Sequence, residues 1–416
     1  MAVSYSATEG KSKGFYTALV VVALFLAAGL IGFTVAYLKG HVMFGSNNAV
    51  PWGLPIIVAI YLIGLSAGSL ILSSLTYVFN KEEYKPISRM AVFLAIVLIF
   101  GALIAIGVDL GRPEKSWRLF MFFYLNNMTS MFAINGILYG GYFAISLGYL
   151  GVILANNMKW AKRMGTFAVC WAMLVHMGTG AIFGFIQARE IMNSPIKPFE
   201  FLGAALVSGL ALLIIVVVVT LRATNREYDR KIVHDLGKLL AIFIGILILL
   251  VTVDKLTHIY GPHRDAAMWL MTGPYWWMFW GLQVFCAYIV PLAILIPRKS
   301  RENVNALVVA GAFVVVGIFG ERLALVIPGT AYPLHLYPGH IEGVWGEVGS
   351  FALMPAEIFL SLGLFALVGL LYIFGLKYLQ LLPSEKRVKV EPISEKVASE
   401  QAPAQDTPVT EQPAEA

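Results

Sequence analysis

Residues 88–117 read SRMAVFLAIVLIFGALIAIGVDLGRPEKSW. After Arg89 about twenty residues pass without a charge, which is the length an α-helix needs to cross hydrocarbon. Then Asp109, a Gly-Arg-Pro turn, Glu114 and Lys115 arrive together. The run reads as a membrane span, and the charges mark its water boundary. An acid at that edge also raises the question of whether it does more than end a helix.

Working outward, the pattern recurs along the chain. Of 416 residues, 59% are hydrophobic and 13% charged, and the mean hydropathy is +0.77. A water-soluble domain could not cover that much apolar surface. Ten runs reach spanning length: 16–38, 55–79, 88–108, 129–155, 164–188, 199–221, 236–260, 273–297, 304–326 and 351–378. Backbone groups in lipid must be satisfied internally, so each run is expected to be helical. The fold class is therefore all-α integral membrane. The first run follows Lys11 and Lys13 with no small-residue cleavage site, so it reads as a span and not as a signal peptide. Three regions follow: a tail over 1–15, a transmembrane domain over 16–382, and a Pro/Glu/Ala/Gln-rich segment over 383–416 expected to be disordered.

Several chemistries are excluded at once. Cys170 and Cys286 lie in apolar runs and read as small buried hydrophobes. An iron–sulfur cluster needs about four thiolates, so this chain holds none. Of its histidines only His176 and His258 fall inside spans, which argues against bis-histidine haem. The net charge of +6 reports orientation in the membrane and not a nucleic-acid partner.

An even span count puts both termini on one side. Most Lys and Arg fall in the loops of that side, including the run Lys159, Lys162, Arg163 and the group Arg222, Arg226, Arg230, Lys231. The opposite loops hold Lys39, Arg112, Lys115, Arg118, Arg189, Lys197 and Arg264. This bias predicts cytoplasmic termini. Trp52, Trp117, Trp269, Trp276, Trp277, Trp280 and Trp345, of nine tryptophans, gather at the outer side. Aromatic belts ordinarily mark both interfaces, so the asymmetry suggests that the outer face docks a partner.

Internal echoes connect distant spans. VDLGRP at 108–113 matches VDKLTHIYGP at 253–262, and GAIFGF at 180–185 matches GIFGER at 317–322. An offset of four spans preserves direction across the membrane. The expectation is two four-helix bundles, spans 2–5 and 6–9, related by an axis near the membrane normal and flanked by spans 1 and 10.

Intramembrane polar residues are costly and normally face a bundle interior or a pathway. Here they are Asp109, His176, Gln187, Arg189, Asp254, His258, Glu321, Arg322 and Glu357. Asp254 lies six residues before Tyr260, roughly 9 Å deeper at 1.5 Å per residue. Glu321 and Arg322 also read as a structural ion pair, and Glu357 as a first-turn acid suited to a helix dipole. Ser66, Ser69, Ser73 and Thr76 recur at helical intervals in span two beside Gly64 and Gly68. They read either as close helix packing or as a hydroxyl-lined proton path.

The motifs resemble those of the polysulfide-reductase, or NrfD-type, membrane subunits, in the ten-span branch found in quinone reductase complexes and alternative complex III. The similarity covers most of residues 30–382. It rests on VPWGLPI at 50–56, GLSAGS at 64–69, DLGRP at 109–113, TS at 129–130, HMGTGAIFGFIQARE at 176–190, FLGAALVSGLAL at 201–212, GPYWWMFW at 273–280, and the segment from Pro355 to Pro383. Where the family often carries a glutamate, this chain has Asp254.

The resemblance implies electron exchange between a membrane quinone, with menaquinone favoured, and a periplasmic iron–sulfur subunit. Further redox subunits of molybdopterin or multihaem cytochrome type would complete the assembly, in a bacterial or archaeal cytoplasmic membrane. It implies Asp109, His176 and Asp254 as proton-exchanging groups, with Trp52, Arg112, Gln187 and Arg189 also at the quinone. Ser69, Ser73, Glu321, Arg322 and Glu357 would line a proton path. Whether protons cross the membrane is left open. Parallel repeats and intramembrane acids also suit a secondary transporter, and a passive anchor for a soluble enzyme is a third reading.

Overall fold

A computed structural model of the chain describes residues 4–78, 81–227, 230–334 and 346–384. Trp345, part of the long loop 328–349 and nearly all of the C-terminal segment expected to be disordered lie outside the described residues.

Ten helices are long and apolar enough to cross a membrane. They are α1 (Lys13–Lys39), α2 (Leu54–Tyr77), α3 (Lys85–Asp109), α4 (Met131–Leu154), α5 (Met158–Gly184), α6 (Lys197–Ala223) and α7 (Arg230–Tyr260). After a short helix α8 (Arg264–Thr272), the eighth span is a π-helical stretch, Met278–Ile289, that runs into α9 (Val290–Leu295). A single turn, α10 (Arg298–Arg301), precedes α11 (Val304–Ala331) and α12 (Pro355–Tyr378).

Local chemistry fixes the starts. Ser12 and Asn157 accept backbone N–H groups at the N-termini of α1 and α5. Proline stands in the first turn of α2, α3, α6 and α12, where its missing N–H costs nothing. Several boundaries differ from the sequence reading: the fifth and seventh spans begin at Met158 and Arg230, six residues earlier than expected. The eighth span begins at Met278, not at 273, because Gly273 adopts extended backbone after α8. The ninth continues through Pro328 to Ala331. There Thr330 Oγ1 donates to Val326 O, and Arg189 donates to Thr330 O, so the last turn is satisfied by side chains.

Helices α2, α3, α4 and α5 pack in a ring, each on the next and α5 on α2. Helices α6 and α7, the eighth span and α11 close a second ring in the same way. Contacts of α6 with α2 and α5 join the two. At that junction Gly68 and Gly209 meet so closely that a Cβ on either would overlap the other's backbone. Helix α2 is mostly buried at the centre, whereas α1 is mostly exposed and lies outermost, paired with α12.

The first and last described segments meet. Tyr5–Ser6 (β1) pairs antiparallel with Leu382–Pro383 (β2). Arg226 clamps this pair through Ser6, Ala7 O and Pro383 O. The opposite end is tied by Asn47 to Ser350 O, Gly349 N to Ala331 O, and His263 beside Glu190.

Candidate functional site

An apolar hollow opens at the end opposite the β1–β2 pair, inside the first ring. Its volume is about 300 Å³, and its wall comes from the α2 entry, the end of α3, the 119–123 turn, α4 and α5. Ile56, Ile60, Ile63, Ile106, Ile182 and Phe183 are among its apolar residues. Four polar side chains reach it: Trp52, Asp109, Asn135 and Tyr139.

Each polar group has a geometric reason for its position. Asp109 is the last residue of α3, where the chain turns at Gly111 (φ +73°). It lies within electrostatic reach of Glu357. Asn135 sits in the first turns of α4 and is 1% exposed. Its Nδ2 donates to Met131 O at 2.8 Å and to Gly178 O at 2.9 Å. Two carbonyls therefore fix which end of the amide carries the hydrogens, and Oδ1 is left buried without a partner. One helical turn on, Tyr139 lies 2.9 Å from Thr179 Oγ1. The Thr179 hydrogen is committed to Val175 O at 2.7 Å, so Tyr139 is the donor of that pair. Trp52 closes the hollow, edge-on to Phe183 at 5.5 Å.

The wall has a second side. Phe183 stacks on Phe201 at 5.6 Å, and the Arg322 guanidinium lies 3.9 Å from the Phe201 ring centre. Beyond that partition, in the second ring, is a buried cluster of charges. Lys197 Nζ donates to Glu200 at 2.5 Å and to Asp254 at 2.8 Å, and Lys255 Nζ approaches Asp254 at 3.0 Å. His258 spans Asp254 O and Asn193 O. Charges this deep persist because they are paired. Glu200 Oε1, Asp254 Oδ1, Glu321 Oε2, Arg322 Nε and His176 Nε2 nonetheless lack hydrogen-bond partners. A space of about 20 Å³ lies between Lys197, Glu200, Gln283 and Glu321. That is room for one water.

The residues singled out from sequence thus separate. Trp52 and Asp109 share the hollow. Arg112 is exposed beside it and makes no ion pair with Asp109. Gln187 is exposed in the turn after α5. Arg189 donates to Thr330 O at 2.7 Å, and partial burial lowers its pKa without removing its charge. His176 is buried against the Gly64 carbonyl, within reach of Arg322, and is not part of the hollow's lining. Asp254, Glu321 and Arg322 belong to the charged cluster. Ser69 and Ser73 donate to Leu65 O and Leu70 O of their own helix. Glu357 accepts Leu54 N at 3.0 Å and Met354 N at 2.9 Å, which ties the starts of α2 and α12. Asn135, Tyr139, Lys197 and Glu200 are additions that the sequence reading does not make. An amide inside FAINGILYGG and an acid in KPFEFLG are the available signals.

A ten-span bundle with an apolar intramembrane hollow and a few inward polar atoms defines a multi-pass membrane protein built around a binding space. The chain belongs to the polysulphide reductase, NrfD family, whose description matches residues 41–333. It is 33% identical over 391 residues to the Hdr-like menaquinol oxidoreductase integral membrane subunit of Archaeoglobus fulgidus, covering 92% of this chain and 98% of that protein. It is 29% identical to a selenate reductase subunit of Mesobacillus selenatarsenatis, over 90% of this chain and 96% of that one. It is 22% identical to the menaquinone reductase integral membrane subunit of Nitratidesulfovibrio vulgaris, over 88% and 91%.

Proposed function

We propose that this chain is the quinone-interacting membrane subunit of a multisubunit oxidoreductase, and that menaquinone or its quinol occupies the hollow beside Asp109. The observation that carries this reading is the lining: an apolar slot of about 300 Å³ into which only Trp52, Asp109, Asn135 and Tyr139 bring polar side chains. The names of the relatives, a menaquinol oxidoreductase and a menaquinone reductase, support the ligand class. The bound quinone supplies two-electron, two-proton redox chemistry.

The chain's own groups handle the protons. The Asp109 carboxylate accepts a proton from a ring hydroxyl at the mouth of the slot. Asn135 Oδ1 accepts a hydrogen bond from a ring hydroxyl and holds the ring in register. Trp52 and Phe183 exclude water. Since Asn135 offers no hydrogen and Tyr139 spends its own on Thr179, the deeper wall suits a hydroxyl donor, the quinol, better than a carbonyl.

The termini are cytoplasmic, so the slot opens near the outer face, where a periplasmic iron–sulfur subunit with further redox partners takes the electrons. The two rings are parallel repeats, each with one polar site on its side of the Phe183–Phe201 partition. The two protons released by the quinol pass one after the other to Asp109 and leave it through His176 and the buried cluster of Glu321, Arg322, Glu200 and Asp254, with a water in the 20 Å³ space. Ser69 and Ser73 continue the route toward the terminal end.

The test uses the complex purified with its partners. Asp109→Asn should cut quinol-linked electron transfer at least about 100-fold, the scale of a lost proton acceptor, while partner subunits remain bound. In liposomes, turnover should build a membrane potential. Normal turnover in the variant would remove Asp109 from the reaction. Turnover without potential would remove the proton route and leave the quinone site standing.

A further inference from the structure

A second hollow, of about 310 Å³, lies at the other end of the bundle, the end that carries the β1–β2 pair. Its lining is Thr76 and Tyr77 from the end of α2, Glu82 and Lys85 from the start of the third span, and Met158, Lys159 and Lys162 from the first turns of α5. Three lysines face one glutamate there. Among the described residues none of the three lysines has an ion-pair partner. Two helices, α3 and α5, begin at this hollow, so the partial positive charge of their N-termini adds to the lysines.

Thr76 points to a ligand independently of the charges. Six threonines inside helices of this protein, Thr17, Thr34, Thr166, Thr179, Thr257 and Thr272, return their hydrogen to the carbonyl four residues back. Thr76 does not. It is 5% exposed, and its Oγ1 is buried without a partner on the wall of the hollow. Tyr77 is already engaged with Ser88. A hydroxyl hydrogen held back from the helix is thus available beside three ammonium groups.

We propose that this hollow binds the phosphate of an anionic phospholipid, with Lys85, Lys159 and Lys162 neutralising it and Thr76 Oγ1 donating to one of its oxygens. A lipid is favoured over free phosphate by what flanks the site. Met158, Trp160 and Phe167 stand exposed on α5, and the Arg163 guanidinium lies 5.4 Å from the Trp160 ring. An exposed apolar and aromatic flank next to a basic hollow at helix ends accommodates acyl chains below a headgroup.

The test is carried out on the purified full-length complex, delipidated in detergent and then offered phosphatidylglycerol, phosphatidylcholine or inorganic phosphate, read by native mass spectrometry and thermal denaturation. Phosphatidylglycerol should remain bound and raise the melting temperature, and the other two should not. Lys159→Ala with Lys162→Ala, both at exposed positions, should weaken phosphatidylglycerol binding about tenfold or more. Thr76→Val should weaken it severalfold, and Thr76→Ser should restore it. Equal stabilisation by inorganic phosphate would make this a soluble-anion site and overturn the lipid assignment. Equal binding of phosphatidylcholine, or unchanged affinity in the lysine double variant, would overturn the site altogether.

Discussion

At the scale of single residues, what decides function is which hydrogen-bonding capacity is already spent. Asn135 spends both donors on Met131 O and Gly178 O and keeps one acceptor. Its replacement by leucine should raise the KM for a quinol donor about fivefold with little change in kcat, since one net hydrogen bond is worth roughly 1 kcal/mol. Asn135→Asp, which keeps an acceptor, should lose less. An unchanged KM in the leucine variant would place the ring elsewhere. Lys197 poses the opposite case. It holds two acids, Glu200 and Asp254, with almost no solvent. Lys197→Met should cost about 3–5 kcal/mol, because buried Glu200 loses its ion-pair partner and Asp254 keeps only Lys255. Adding Glu200→Gln and Asp254→Asn should recover much of that, as read by thermal denaturation of the purified protein. Asp109 and Trp52 are legible in the sequence, because an acid at a span edge and a tryptophan before a span are visible in one dimension. Lys197 is not. It sits beside Ser194 and Pro198, where a helix start reads as a solvated loop, and only the packing of α7 across it makes the lysine interior.

At the scale of elements, the spans are legible because hydrocarbon thickness sets their length, and all ten lie where the apolar runs place them. The short helix α8 and the π winding of the eighth span are not, since neither leaves a signature of its own in the hydropathy. Which helices touch is set by small residues, whose partners sequence does not name. Gly29 and Gly363 bring α1 and α12 into backbone contact, and a Cβ on either would overlap the other's Cα. Gly363→Leu should therefore force the pair apart. The measurement is a disulfide engineered through Val22→Cys and Gly369→Cys, positions that lie in side-chain contact range. The crosslink should form readily in the parent and fall severalfold in the leucine variant. Equal crosslinking in both would mean that the rest of the α1–α12 contact outweighs the glycines.

At the scale of the whole molecule, two ends with different chemistry face each other across the bilayer. One carries the slot beside Asp109, and the other carries the lysine-lined hollow and the β1–β2 pair. The charge bias argues for the second end in the cytoplasm. A cysteine placed at exposed Gln187 should then react with an impermeant maleimide in intact cells, and one placed at exposed Lys159 only after lysis. The reverse pattern would invert the orientation and move the docking face for the redox partners to the cytoplasm. The parting of Asp109 from His176 and Asp254 also belongs to this scale. All three read as one site in the sequence, but Asp109 lines the slot of the first ring, His176 lies outside that slot, and Asp254 belongs to the charged cluster of the second ring.

The pairing of α1 with α12, and of Tyr5–Ser6 with Leu382–Pro383, joins the first span to the tenth. During synthesis α1 enters the bilayer with its glycine groove uncovered and waits there until the tenth span is inserted. A ribosome that stops before residue 355 releases a chain with that groove open, with Leu54 N lacking its Glu357 acceptor, and with Arg226 lacking Pro383. Such a chain has every helix of both rings and still lacks its clasp. The first helix then stays uncovered on the face that Gly29 and Gly32 present to the tenth span, so the first span completes its packing only once the last one has been made.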